Sequence, residues 1–553
     1  MKTIYKIFLL ALISSGSLFY SCETTELEQL VSPNAISPEQ ADPDLLLNTI
    51  QRAFVTNAIT FNDRSAELTR IDYMFGRDYF NNYNSSTFDG VWSRTYSSIF
   101  ANVRIIEQQN EADGGGLEFH LGVSKTIEAY TLMMLVDFIG DIPLSEALNP
   151  DEFPNPTLDD DAAVYAAARA RLDEANAFFT GASVGSATDF FYDGEVSNWQ
   201  RLVNTLIMRH ALTTGDIAAF NAVVSGGNYI QETSQDFEFK YGTQLLNPNT
   251  RHPDYNADYT VSGANIYQSM WLMRLMQDAD AADGSDDDPR IRYYFFRQSE
   301  CTPGASCLPE GNGETLSCSL ESAPPQYAGI PYCFLEDGYW GRNHGDDDGT
   351  PPDNFTRTAV GVYPAGGLFD DNSFGGLNQD VGGLGEGIEP IILASYVDFW
   401  RAEVALAGGS PSAASGLVEA GLTKSIAKVQ SFGALDTNRD TSFEPDATTV
   451  SDFIAAKSGM ITDTSDDSWN ALAEQYFVTM FGGAGDAYNF YRRTGYPTTL
   501  DPNVEPDPGV FPRTFLYPSV EVIANPNVTQ RQDNATQVFW DTKPAGPAFP
   551  PAN

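Results

Sequence analysis

Basic residues are scarce in this chain of 553 residues: Lys and Arg number 31 against 75 Asp and Glu, for a formal net charge of -44. A surface of that sign repels a phosphate backbone, and no Lys/Arg-rich run offsets it, so sequence-independent nucleic-acid binding is excluded. Histidine is rarer still, with 4 residues, and His120, His210, His252 and His344 are scattered without an H-E-x-x-H pair. His210 falls on an apolar helical stripe, where a core histidine with its hydrogen bonds satisfied is expected. After the first residues, no apolar run is long enough to span a bilayer. Cysteines number 5, and none stands in a C-x-x-C pair, so zinc spacing is missing.

The N-terminus carries more information. Lys2 and Lys6 precede an apolar run from Ile7 to Ile13, and mixed residues lead to Ser21-Cys22. A charged start and a short apolar core are the plan of a secretory signal. A signal ending directly on Cys22 resembles a bacterial lipoprotein signal and implies that Cys22 is lipidated, although Phe19-Tyr20-Ser21 departs from the usual residues there; an ordinary secreted protein with a leftover Cys is the alternative. Glu23, Glu26 and Glu28 come next, resembling the acidic tag of lipoproteins sent to the outer face of the outer membrane. In an exported chain the remaining cysteines, Cys301, Cys307, Cys318 and Cys333, read as two disulfides with three possible pairings. No cofactor is implied.

Helical periodicity dominates the chain from about residue 43 to 225. Val123, Ile127, Tyr130, Met134 and Phe138 recur at spacings of three and four, and Leu132, Leu135 and Ile139 form a second stripe beside them. A helix apolar on two sides belongs inside a stack of helices. Gly140 stops it and Pro143 prevents its resumption. The stripe Tyr96, Ile99, Val103 and Ile106 precedes it across Gly114-Gly115-Gly116, predicting an antiparallel pair. Val164 to Phe179 and Trp199 to His210 predict a second pair, and a helix is expected after Asp42-Pro43. Successive pairs suggest a tetratricopeptide-like arrangement, without a legible repeat signature.

The expected organisation is a signal over 1–22, a tether over 23–42, a helical-pair scaffold over 43–225, a loop-rich, disulfide-stapled insertion over 226–388, and C-terminal helices with an extended tail over 389–553. One helix is expected in the insertion, near Tyr267 to Asp278. The tryptophans Trp92, Trp199 and Trp469 lie in periodic stripes and read as core.

Catalytic patterns fail on context. Gly181-Ala182-Ser183-Val184-Gly185 matches G-x-S-x-G, but a helix precedes it where the nucleophile elbow needs a strand. Gly383 to Gly387 carries Glu386, which repels phosphate, and lacks a preceding strand. Abundant Asp and Glu offer many glycosidase pairs, but nothing picks out two. Asp436, Asn438, Asp440, Ser442 and Glu444 alternate as in a calcium loop without its glycine and terminal glutamate, so a solvated loop is expected there and no metal. The chain does not read as an enzyme.

Aromatics are abundant, with 35 Phe, 26 Tyr and 7 Trp. Ring faces stack on sugar rings and pack on peptide side chains, and nearby polar groups fix orientation. Tyr79, Phe80 and Tyr83 lie among Asn81, Asn82 and Asn84, in a polar stretch where burial is not expected, and Tyr339 and Trp340 lie in the insertion.

Several segments resemble one family in chain order: the helix ending Phe138-Ile139-Gly140-Asp141-Ile142-Pro143, the segment Trp199 to Arg209 with Asn204 between, Tyr339-Trp340-Gly341-Arg342-Asn343-His344-Gly345, and Arg492-Arg493-Thr494-Gly495-Tyr496-Pro497. With the lipoprotein-like start, the chain resembles the SusD/RagB family of surface nutrient-binding lipoproteins. That resemblance implies a mainly α, SusD-like fold with tetratricopeptide-like helix pairs. It implies capture of an oligosaccharide at the cell surface, lipid anchoring to the outer membrane, and hand-off to a SusC/RagA-type TonB-dependent transporter. A peptide ligand, as for RagB-like members, stays open, and a surface glycoside hydrolase or an adhesion protein stands behind it. The family places ligand contacts on loops before the first helix pair and in the insertion, which makes Tyr79, Phe80, Tyr83, Tyr339 and Trp340 the expected ligand-binding residues.

Overall fold

The computed structural model describes residues 40–277, 287–299, 322–332, 334–347 and 354–543. The signal region, Cys22 and the four clustered cysteines Cys301, Cys307, Cys318 and Cys333 lie outside the described residues. The chain divides after Asp42, and the body begins at Pro43. Among the described residues no helix is long and apolar enough to cross a membrane.

The body is mainly α-helical. Helix α1 (Pro43–Leu68) buries Leu47, Ile50, Phe54, Ala58 and Phe61 at helical spacing. The helix expected after Asp42-Pro43 runs without a break to Leu68. Asn62, Asp63 and Glu67 break the apolar pattern without breaking the helix, since they face a cleft. After the single turn α2 (Tyr79–Asn82), helix α3 (Asp89–Arg94) continues through a π-helical turn, Thr95–Phe100, into α4 (Ala101–Asp113). Buried Asn57 of α1 sits against that widened turn, donating to Thr95 Oγ1 at 3.1 Å and accepting from Arg94 Nε at 2.8 Å. Gly114, in the left-handed conformation, closes α4.

Helix α5 (Glu118–Ile139) is buried at every residue from Phe119 to Ile139, as a helix apolar all round must be. Its principal partner is not α4, as the sequence predicts, but α6 (Asp161–Phe179). The two run antiparallel: Gly122 near the start of α5 faces Phe179 at the end of α6, and Asp137 near the end of α5 accepts from Tyr165 near the start of α6 at 3.0 Å. A Cβ on Gly122 would stand 2.6 Å from the Phe179 ring, so glycine is what lets the helices approach. Helices α7 (Val196–Thr213) and α8 (Ile217–Gly226) complete this half. In α7, His210 Nε2 donates to the Tyr165 carbonyl, 3.2 Å away, and the ring packs beside that of Tyr165.

Strand β1 (Phe237–Lys240) then opens a loop-rich stretch. It holds α9 (Pro253–Asp258), α10 (Met270–Met276), α11 (Ile291–Tyr294), β2 (Phe295–Phe296) and β3 (Ala359–Val360) before β4 (Ile388–Ile392) returns to β1. β1 and β4 pair antiparallel, from Phe237 opposite Ile392 to Lys240 opposite Ile388, and β2 pairs antiparallel with β3. The helix expected near Tyr267 to Asp278 is the shorter α10, capped by Ser269. With little regular structure, this stretch is held by buried polar anchors. Asp258 accepts from the backbone N–H groups of Asn265 at 2.9 Å, Ile266 at 2.7 Å and Val360 at 3.0 Å. Asp370 takes Arg297 in a two-point pair at 2.6 and 3.0 Å.

Helix α12 (Ala394–Ala407) packs on α13 (Pro411–Ser431), followed by α14 (Ala447–Gly459), α15 (Asp466–Thr479), α16 (Ala487–Thr494) and α17 (Ser519–Ala524). Trp92 and Trp199 are core as expected, whereas Trp469 is only partly buried and lies flat on Tyr496, with ring centroids 5.4 Å apart.

Three of the segments that carry the family resemblance meet at one buried residue, Asp137. Asp137 of α5 accepts from Arg209 of α7 at 2.9 Å and from Asn489 of α16 at 2.7 Å. Its backbone carbonyl accepts from Arg492 of α16 at 2.7 Å. Trp540, near the end of the described chain, donates to the same carboxylate at 3.1 Å.

Candidate functional site

One face of α1 opens onto a cleft. Ile59, Asn62, Asp63, Ala66 and Glu67, spaced by three and four, form its floor. Asp72 and Tyr73 come from the loop after α1, His252 to Asp254 enter from the start of α9, and Asn265 to Gln268 come from the loop that Asp258 holds in place. Glu389 of β4 and the turn around Gly482 close the far side, and the enclosed volume is about 400 Å³. Tyr73 and Tyr267 meet edge to face at 5.5 Å. Arg342 and Arg357 lie over the Tyr267 ring at 4.5 and 3.7 Å, which fixes its plane.

Five carboxyl side chains line this space: Asp63, Glu67, Asp72, Asp254 and Glu389. Arg64 donates to Glu67 at 2.6 Å, and Asn62 donates to Glu389 at 2.6 Å. Desolvation by the surrounding protein raises all five above the usual carboxylate range, and mutual repulsion adds to it for all but Asp254. Asp63 and Asp254 are pushed up to about 6, and Glu67 to about 7 against the opposing pull of Arg64. The Asp254 side chain keeps 48% of its surface accessible, but that surface gives onto the cleft, where protein atoms still displace bulk water. Burial holds His252 neutral, down to about 3.

These shifts predict a pH-dependent stability. A carboxyl raised in the folded state stabilises it fully below its unfolded value near 4, and that contribution is lost as pH rises through about 6. Asp254→Asn mimics the protonated form and is expected to raise the thermal midpoint relative to the parent at about pH 7.5, with the gap closing toward about pH 5. Buried His252 and His344 act in the opposite sense on acidification, so the variant is compared with the parent at each pH. A pH-independent difference in melting temperature would show that Asp254 does not titrate in this range.

A sequence-family profile described as "Starch-binding associating with outer membrane", SusD-like, matches residues 33–309. The chain belongs to the SusD-like family. Solved structures share the architecture over nearly their whole length. A SusD/RagB family protein from Bacteroides thetaiotaomicron is 18% identical, with a TM-score of 0.62 over 91% of this chain and 99% of that one. A chitin-binding protein is 18% identical, with a TM-score of 0.61 over 91% of this chain and 100% of that one. A chitin-binding SusD homolog from Flavobacterium johnsoniae is 17% identical, with a TM-score of 0.59 over 90% and 99%. No curated protein sequence matches the chain. At these identities the likeness establishes the mainly α, SusD-like fold.

Within this SusD-like fold, the residues expected to stack on a ligand are placed unevenly. Tyr79, Tyr83, Tyr339 and Trp340 are buried, at 1%, 0%, 3% and 2% exposure, and offer no open ring face. Each is covered by neighbours that chain order does not reveal. Tyr79 packs on Phe511 and lies 3.1 Å from His344 Nε2, and Tyr83 packs on Phe515. Arg297 covers Tyr339 at 4.9 Å, and Trp340 stands edge-on behind Tyr267. Two of them support the cleft from behind, since Tyr83 donates to Glu67 at 3.1 Å and Trp340 backs Tyr267. Phe80 alone of the five is exposed, at 46%, and it is not among the cleft-lining residues. Sequence reasoning missed Asp63, Glu67, Asp72, Tyr73, Asp254, Tyr267 and Glu389. The available signal was the polar run Asn62, Asp63 and Glu67 beside the apolar stripe of the same helix.

Proposed function

We propose that this SusD-like chain is a non-catalytic surface lipoprotein that captures an oligosaccharide in the cleft and passes it to a TonB-dependent outer-membrane transporter. Family membership joined to an open cleft of about 400 Å³ carries the reading, a volume within the usual range of ligand pockets. The chitin-binding activity named for two structural relatives supports carbohydrate as the nutrient class. Tyr73 and Tyr267 supply aromatic walls, and Asn62, Asn265 and Gln268 supply amides for hydroxyl groups. A peptide ligand is the second reading, favoured by the acidic lining, which suits basic side chains. Cys22 would anchor the protein at the outer face, so Cys22→Ser is expected to move it from the membrane fraction to the soluble one.

The test is calorimetric titration of the purified full-length chain in detergent against panels of neutral oligosaccharides and short peptides. Saturable binding of a glycan, weakened about tenfold or more by Tyr73→Ala and leaving the ligand chemically intact after prolonged incubation, is the expected result. Hydrolysed product would overturn it in favour of an enzyme. Binding of peptides alone would move the ligand class to the second reading.

A further inference from the structure

The cleft gathers more carboxyl groups than the protein supplies cations to match. Its carboxyls arrive from α1 (Asp63, Glu67), the loop after α1 (Asp72), α9 (Asp254) and β4 (Glu389). Glu67 has Arg64 and Glu389 has the Asn62 amide. Among the described residues, no Lys or Arg reaches Asp63, Asp72 or Asp254 within ion-pair distance. His252 Nδ1 lies 3.9 Å from Asp254, but it accepts the Asp254 backbone N–H, so it carries no proton to share. The nearby cations are already engaged: Arg342 with Asp346 at 3.4 Å, and Arg357 with the Asn265 carbonyl and the Tyr267 hydroxyl, each at 2.9 Å.

A second observation points to a ligand independently of charge. Gln268 lines the same cleft and is 4% exposed, yet its Nε2 has no hydrogen-bond partner among the described residues. A buried amide donor left unpaired is costly and rare in a folded protein. A hydroxyl or carbonyl oxygen on an occupant would satisfy it. The cleft therefore presents a cation-binding side, at Asp63, Asp72 and Asp254, and a hydrogen-bond donor at Gln268.

We propose that the cleft takes a ligand unit bearing a protonated amine beside a neutral oxygen acceptor, the amine held by Asp63, Asp72 and Asp254 and the oxygen by Gln268. This rests on the cleft being the capture site. The chemistry is shared by a 2-amino sugar, whose ring hydroxyls adjoin its amine, and by a lysine side chain in a peptide.

The probes are a fully deacetylated glucosamine tetramer, the N-acetylated tetramer of the same backbone, and tetralysine, each titrated into the full-length chain. The deacetylated sugar is expected to bind about tenfold or more tighter than its neutral counterpart, the scale of a charge-assisted hydrogen bond. The chain's overall charge attracts any polycation, so the deciding variant is Asp63→Asn combined with Asp254→Asn. It changes the formal net charge of -44 by two, too little to alter long-range attraction, and is expected to abolish the preference between the two sugars. Equal affinity for the two sugars, or a preference that survives in the double variant, would overturn the amine assignment and leave carbohydrate capture standing. Tetralysine binding that the double variant abolishes, with neither sugar bound, would keep the assignment and transfer it to a peptide. Failure of all three probes would overturn this proposal, whereas the wider glycan panel decides the capture reading separately.

Discussion

Asp137→Ala is expected to destabilise the folded chain by about 3–5 kcal/mol, the cost of stranding one member of a buried ion pair. Asp137 is 0% exposed, and its two carboxylate oxygens take four donors: Tyr165 and Trp540 on one, Arg209 and Asn489 on the other. Without it, Arg209, itself 2% exposed, keeps Asp486 at 3.8 Å and the Tyr130 ring at 5.5 Å among the described residues. Three donors that water cannot reach are left unpaired at the same time. Asp137→Asn keeps the shape but turns an NH2 toward two of those donors, so it should fall between the parent and Asp137→Ala. Adding Arg209→Met to Asp137→Ala should recover part of the loss, because the uncompensated cation goes with it. The urea midpoint measures all three. A midpoint for Asp137→Ala within about 0.5 kcal/mol of the parent, the range of an ordinary surface change, would show that the helices hold together without this hub.

The same residue shows why the helical scaffold could be read from sequence and its wiring could not. The stripes Val123 to Phe138, Val164 to Phe179 and Trp199 to His210 lie within α5, α6 and α7 because burial demands that periodicity wherever a helix packs. Nothing local says which helix meets which. Gly122, inconspicuous in the sequence, leaves the room on α5 that the Phe179 ring of α6 fills. Asp137 and Asn489 stand far apart in the chain and 2.7 Å apart in space. Three of the segments that resemble the family converge on this residue, so their resemblance speaks to the fold more than to a ligand.

The candidate cleft was hidden for a related reason. Aromatics in polar stretches suggested ring platforms at Tyr79, Tyr83, Tyr339 and Trp340, yet the chain folds other segments over them: Phe511 and Phe515 come from far along the sequence. Polar neighbours in sequence do not guarantee exposure when they point the other way. The floor of the cleft lies on a helix whose apolar stripe drew attention to its opposite face. Asp63, Asp72, Asp254 and Glu389 are ordinary acids in a chain with 75 of them, and only the fold distinguishes these by gathering them.

Arg290→Ala is expected to cost a similar amount, about 3–5 kcal/mol, but through a different joint. Arg290 is 0% exposed and pairs with Asp288 at two points, 2.8 and 2.6 Å. Its remaining donors reach Ser425 of α13 at 3.0 Å, and Gln475 and Thr479 of α15 at 3.1 and 2.9 Å. The guanidinium therefore ties the loop-rich stretch to two C-terminal helices, where backbone pairing is limited to short strands. Truncation leaves Asp288 buried without its cation, holding the backbone N–H of residue 290, and leaves three side-chain acceptors without this donor. Arg290→Lys keeps the charge but has neither the planar fork nor the reach to serve four partners, so it should recover less than half of the loss. The denaturant midpoint reports the loss. Hydrogen exchange then locates it: amides near Ser425, Gln475 and Thr479 and in β2 and β3 should lose protection before those of α5 and α6. Uniform loss of protection across all the helices would instead mean that this anchor and the Asp137 hub belong to one cooperative unit.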